Sequence, residues 1–169
     1  MEKLPGDYIA GFIDGEGCFY LMYRSEIKRK RSKQVTYYRW LPYFAMTLRE
    51  DDIAILKKIQ NTLGCGNVYK LKKRIGEQQA YFGIQHIDDL YRKVMPFFQK
   101  YQLRAKKRFD FELWCKALTI LYRNKSNRAR CSEEDHKALS AIREQMRQYK
   151  SKRLNPYKNY PMGLKPKGN

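Results

Sequence analysis

Two pairs of strand-like runs, each joined through a cluster of bases, restrict this chain more than any other feature. Cys18 to Tyr23 (CFYLMY) and Tyr37 to Met46 (YYRWLPYFAM) are apolar and aromatic, as strands are. Between them lies RSEIKRKRSK, residues 24–33, with six bases in ten positions. The second pair is Asn67 to Lys72 and Gln78 to Gln85, with Arg74-Ile75-Gly76-Glu77 as the turn. Two hairpins in one domain predict a four-stranded, mostly antiparallel sheet with helices on one face, an α+β fold. Pro42 inside the second run predicts a bulge or an edge.

Helical signals fill the intervals. Asp7 can cap a short helix over 8–14 that Gly15 ends. Thr47-Leu48-Arg49-Glu50 has the capping-box pattern, followed by Ile53, Leu56, Ile59 and Leu63 at helical spacing and Gly64 as the stop. Asp88 can cap a third helix that turns Leu90, Tyr91 and Val94 inward and breaks at Pro96. Leu113, Ala117, Leu118 and Leu121 mark a fourth helix. Ser132 caps a fifth, with Leu139, Ile142, Met146 and Tyr149 on one face. One domain over 1–149 is predicted, followed by a basic tail over 150–169. The tail reads either as an extended arm or as a terminus without a role.

The charge points to the partner. Lys and Arg number 36 against 17 Asp and Glu, a net charge of +19 in 169 residues, and nucleic acid is the polyanion such an excess suits best. No apolar run reaches the ~18 residues of a membrane span, and the first residues (MEKLPGDY) lack a secretion signal, so an intracellular protein without a membrane partner is expected. Cys18, Cys65, Cys115 and Cys131 are scattered without a CxxC pair, which fits inert, reduced thiols.

Because strand side chains alternate, one sheet face can bury aromatics while the other presents polar groups to a DNA groove. The candidate contacts in the first hairpin are Tyr20, Arg24, Lys28, Arg29, Arg31, Lys33, Arg39 and Tyr43. Those in the second are Tyr69, Lys70, Lys72, Lys73, Arg74, Gln79 and Tyr81.

Against this basic background, Tyr8 to Gly17 (YIAGFIDGEG) carries acids and no base. Ala10 and Gly11 make one side of its helix nearly flat, so that a second helix can approach closely. Asp14 and Glu16 fall at the helix C-terminus, where the macrodipole disfavours carboxylates. Composition leaves two readings open. The acids are solvated, or they hold a divalent cation such as magnesium, which takes one or two carboxylates plus phosphate and water.

Residues 9–17, IAGFIDGEG, resemble the LAGLIDADG motif, with Ala10, Gly11, Ile13, Asp14, Gly15 and Gly17 in register. The order of elements, the Leu63-Gly64-Cys65-Gly66-Asn67-Val68 turn and the Leu103-Arg104-Ala105-Lys106-Lys107 segment extend the resemblance to LAGLIDADG homing endonucleases over about residues 8–123. The resemblance implies a saddle-shaped sheet in the DNA major groove. It also implies motif helices that meet at a two-fold axis, here through Ile9, Ala10, Phe12 and Ile13. Glu16 takes the metal-ligating acidic position, with the Gly15 carbonyl as a second ligand. The metal is Mg2+, which Mn2+ or Ca2+ can replace. Asp14 takes a structural position. Lys106 takes the basic position that orients water or stabilises charge on the phosphorane. Where some members place a solvent-positioning polar residue this chain has Leu48, and a later basic position falls on Asp52, with Arg49 or Glu50 as substitutes.

A single motif implies a homodimer on a long, near-palindromic double-stranded DNA site, a staggered cut with 3′ overhangs, and an intron-encoded gene. Two rivals share the scaffold. One is an RNA maturase that binds intron RNA; the other is a non-catalytic regulator, which would have no use for Glu16.

Overall fold

A computed structural model describes residues 2–30, 33–71, 78–125 and 131–154. Of residues 26, 28, 30, 33 and 149–154 it describes the backbone alone. The elements are α1 (Gly6–Glu16), β1 (Gly17–Lys30), β2 (Lys33–Arg49), a 3-10 turn (Glu50–Asp52), α2 (Ile53–Leu63), β3 (Asn67–Lys70) and β4 (Gln79–Ile84). A helical stretch follows as α3 (Ile87–Asp89), a π-turn (Leu90–Val94) and α4 (Met95–Lys100), then α5 (Lys107–Arg123) and α6 (Glu133–Leu154). The strands form one antiparallel sheet in the order β1-β2-β4-β3, the α+β arrangement expected.

Alternation along the strands sorts the two faces. Phe19, Leu21, Phe44, Met46, Phe82 and Ile84 point to the helices and are buried. Phe19 lies at the centre, its ring centroid 5.0 Å from Phe44, 5.2 Å from Phe111, 5.2 Å from Trp114 and 5.8 Å from Phe98. Each such side chain stabilises the fold by roughly 1.5–3 kcal/mol. The aromatic richness of the strands is thus partly a core requirement.

The first hairpin is longer than its sequence suggests. Pairing runs unbroken from Gly17 opposite Met46 to Lys30 opposite Lys33, so most of the basic segment belongs to strands rather than to a loop. Charged side chains are tolerated there because an outlying two-stranded ribbon exposes both faces. The same register leaves no bulge at Pro42. Pro42 pairs with Leu21 on one side, and β4 joins the other side of β2 only from Phe44 onward, so the missing N–H leaves no ladder incomplete.

Four helix boundaries differ from expectation. Pro5, not Asp7, occupies the N-cap of α1, and the helix runs through Gly15 to Glu16. It stops at Gly17, where a Cβ would come within 2.5 Å of Ile13 Cγ2. The expected capping box is absent because Thr47, Leu48 and Arg49 are taken into β2 by pairing with Tyr81, Ala80 and Gln79. Pro96 does not break the third helix. The π-turn ends just before it, and Pro96 falls in the first turn of α4, where an N–H is dispensable. Finally, α6 continues to Leu154, past the expected boundary at 149, while residues 155–169 lie outside the described residues.

Other boundaries agree. Gly64 caps α2 in the left-handed region, its N–H bonded to the Gln60 carbonyl at 2.9 Å. Ser132 caps α6, its Oγ accepting from the Asp135 N–H at 3.1 Å. None of the four cysteines is in a disulfide and all are half-buried, and burial pushes Cys65 up to about 11 and Cys115 up to about 12, so both stay as thiols.

Two contacts without a sequence signal fix α6. Trp40 Nε1 donates to His136 Nδ1 at 3.0 Å. The buried Asp135 accepts from Arg123 Nη2 at 2.6 Å and Asn124 Nδ2 at 2.8 Å. The Asn124 bond first, then the Arg123 charge, hold its carboxyl below the ordinary 3.8. The unfolded chain therefore takes up this proton first as pH falls. Stability from Asp135 is complete above the ordinary carboxylate value and is lost as pH drops through it toward the lower folded value. Asp135→Ala should lower the urea midpoint at pH 7, and the gap from the natural chain should narrow below pH 4.

Candidate active site and nucleic-acid interface

Helix α1 has two faces with different tasks. Ile9, Ala10 and Ile13 are 0%, 4% and 0% exposed, packed into the core of their own chain. The single chain thus leaves little of these three exposed to a second copy. With a 3.6-residue repeat, the residues turned outward are Tyr8, Gly11 and Gly15, with Phe12 at the border. Tyr8 is 49% exposed and stacks on Phe12 at 6.2 Å. A Cβ added at Gly11 or Gly15 would meet nothing within 4 Å. The flat strip therefore consists of Gly11 and Gly15 one turn apart, not of Ala10 and Gly11.

The C-terminus of α1 is held by the segment leading into α5. Asp14 Oδ2 accepts from the backbone N–H of Arg104 at 2.7 Å and of Ala105 at 3.1 Å. This is the structural position implied for Asp14. Lys107 Nζ donates to the Gly15 carbonyl at 3.2 Å and also to the Gly17 carbonyl. Lys107 is therefore a cation seated at this pole. Lys106, the expected basic residue, is exposed one position before α5. The helical phase of α5 carries the distinction, because Lys107 lies two turns before the buried Trp114.

Glu16 is exposed at the last position of α1, beside these carbonyls. The negative helix pole, the Gly15 carbonyl and the Glu16 carboxylate form a hard-oxygen donor set. Lys107 on the Gly15 oxygen shows that this pole attracts positive charge. Among the described residues no group of three His, Cys, Asp or Glu could enclose a metal. The site thus fits an ion that takes few protein oxygens and completes its shell with phosphate and water, as magnesium does.

The open face of the sheet starts at the same place. Tyr20, Arg24, Arg39, Tyr43, Tyr69, Gln79 and Tyr81 all project there, and the backbones of Lys28 and Lys33 are in phase with them. Arg29 and Lys70 are not. Arg29 alternates with Lys28 onto the opposite face, and Lys70 on that face pairs with Glu50 at 2.5 Å. Arg31, Lys72, Lys73 and Arg74 lie outside the described residues. The Tyr20 and Tyr43 rings stack at 4.8 Å and 5°, and Tyr69 and Tyr81 lie 5.0 Å apart. Burial, and then a hydrogen bond with Tyr81, push the Tyr20 hydroxyl well above the usual tyrosine value, and burial raises Tyr81 as well. Both remain neutral. Leu48 points to the helix side and packs against the core, and Arg49 pairs with Asp51 at 3.0 Å.

A four-stranded sheet with one open face, and a helix delivering an acidic pole to that face, define the α+β architecture of this chain. The family model for LAGLIDADG endonuclease matches residues 9–118, and the chain belongs to that family. It is 28% identical over 112 residues to the "Probable intron-encoded DNA endonuclease 1" of Mycosarcoma maydis, covering 66% of this chain and 36% of that one. The chain thus spans about a third of that relative's length. Among solved structures, the homing endonuclease I-TnaI superposes with a TM-score of 0.65 at 26% identity, over 89% of this chain and 99% of that one. The LAGLIDADG homing endonuclease I-SmaMI bound to cleaved DNA gives 0.67 at 26% identity, over 88% of this chain and 46% of that one. I-SmaMI bound to uncleaved DNA target in the presence of calcium ions gives 0.64 at 25% identity, over 85% and 45%.

The Asp14 clamp is testable without any substrate. Asp14→Ala removes the acceptor of two backbone N–H groups and should cost about 1–3 kcal/mol in urea unfolding, with helical content retained.

Proposed function

We propose that the chain acts as a homodimer that hydrolyses both strands of a long, near-palindromic DNA site with magnesium, leaving 3′ overhangs. The observation that carries this reading is the placement of Glu16. It stands exposed at the negative pole of α1, where the open sheet face meets the uncovered Gly11–Gly15 strip. Two copies joined along that strip would bring two acidic poles together at one axis, one for each strand.

The chain's own groups have separable tasks. Glu16 and the Gly15 carbonyl would hold the cation. When bound, that ion supplies Lewis-acid activation of water and of the leaving 3′ oxygen. Lys107 fixes the Gly15 and Gly17 carbonyls and so sets the direction in which Glu16 points. Lys106, exposed ahead of α5, is assigned a contact with the charge that develops on phosphorus. Arg24 and Arg39 hold phosphates farther out, which makes binding salt-dependent. No described helix is long and apolar enough to cross a membrane.

A second reading, assistance of intron splicing through RNA, draws on the opposite face of the first hairpin. There Tyr23 and Tyr38 stack at 5.7 Å and are 38% and 61% exposed, a surface suited to unpaired bases.

Incubation with a plasmid carrying the intronless insertion site should give magnesium-dependent linearisation that EDTA prevents. Binding of intron RNA with no cutting would favour the second reading instead. Glu16→Gln should abolish cutting and leave DNA affinity within a few-fold; full cutting by that variant would remove Glu16 from the reaction. Gly11→Leu, which projects into open space on the folded chain, should leave the unfolding midpoint nearly unchanged. It should give a monomer by analytical ultracentrifugation and no linear product.

A further inference from the structure

In a chain of net charge +19, the middle of the open sheet face carries no charge at all. Residues 17–23 of β1, 40–48 of β2, 67–69 of β3 and 80–84 of β4 include no Asp, Glu, Lys or Arg. Charge resumes at the edges of this area, with Glu16 on the side of α1, the facing Arg24 and Arg39 on the hairpin side, Arg49 beyond Thr47, and Asp89, which lines the hollow beside Tyr43, Tyr69 and Tyr81. The surface inside that border is made chiefly by Tyr20, Met22, Leu41, Tyr43, Tyr69 and Tyr81. Met22 is 37% and Tyr69 50% exposed.

This area is built rather than incidental. Tyr20 and Tyr43 lie flat on one another, and the Tyr20 and Tyr81 hydroxyls bond to each other. Gly83 is required beneath them, because a Cβ there would sit 2.3 Å from the Tyr81 ring. One of these two hydroxyls donates to the other, and Met22 and Leu41 are apolar, so the area has no fixed positive charge with which to hold a phosphate. Desolvating phosphates against it would be unfavourable. Its chemistry suits the one apolar group exposed in the major groove, the C5 methyl of thymine.

We infer that this uncharged floor lies over base edges and selects thymine-bearing pairs in the part of each half-site next to the cut. The inference rests on the DNA-cleavage reading above and deepens it by stating a rule for the target. From Cys18 to Met22 the strand advances about 13 Å, so the floor covers about four base pairs next to each cut. Over that stretch discrimination comes from methyl contacts and is nearly independent of salt. The grip on phosphate belongs to the arginines beyond it.

The test uses the full-length protein and a library of randomised duplexes. Selected sites should carry A·T pairs well above the frequency in the unselected library at the pairs next to each cut. Replacing the thymines of these pairs by deoxyuridine removes the methyl while keeping every hydrogen bond and charge. Affinity should then fall about four-fold per methyl, the worth of one buried methyl group, with an unchanged salt slope. Leu41→Ser should reduce this uracil penalty. Arg39→Ala should preserve the penalty but lower the salt slope by about one. Specific binding with G·C pairs at these positions, or without any uracil penalty, would overturn the inference and leave the nuclease reading standing. Absence of sequence-specific DNA binding would overturn the nuclease reading itself. The uracil measurement on the natural chain decides the question even if Leu41→Ser fails to fold.

Discussion

The clamp between α1 and the segment leading into α5 is the constraint on which the rest depends. A helix C-terminus that ends in Asp14, Gly15 and Glu16 gathers negative charge, and a short helix with such an end would fray if left alone. Asp14 accepts two backbone N–H groups from residues 104 and 105, and Lys107 spans the carbonyls of Gly15 and Gly17. Ile9 and Ile13 bury the opposite side of the helix completely. Glu16 is left as the acid of this helix end that is turned outward. Its direction is set by contacts that lie about ninety residues away in sequence.

The same clamp determines where the acidic pole meets the open sheet face. Gly17 follows Glu16 directly and opens β1, so the acidic pole and the first strand are joined without a loop. Glycine is needed at that junction because a side chain would strike Ile13. The sheet then spreads away from the pole, with uncharged tyrosine chemistry near it and arginines farther out. In the proposed reading the uncharged zone keeps the side chains of the strands from competing with a cation for Glu16, while Lys107 shares the Gly15 carbonyl with it.

The strand pairs, the helical spacing of Leu56, Ile59 and Leu63, the Gly64 stop and the Ser132 cap could all be read from local patterns, because each depends on side chains a few residues apart. Boundaries failed where a distant partner competed. Thr47 to Arg49 look like a capping box in isolation, yet a neighbouring strand offers their backbone a full ladder. Pro96 looks like a breaker, yet the preceding π-turn places it where no N–H is needed. The Trp40–His136 bond joins residues 96 positions apart and leaves no periodicity to find.

By itself the sequence determined the fold family, the basic and aromatic character of the sheet, and the acid at position 16. These follow from residue type, alternation and a compact motif. Only the tertiary structure decided which side of α1 is free, that Lys107 reaches the helix pole, and which bases share a face with Tyr20. The physical reason is that each choice turns on a rotation of about 100° about a helix or 180° along a strand. That rotation is fixed by how the whole element packs, since one neighbour points into the core and the next points out.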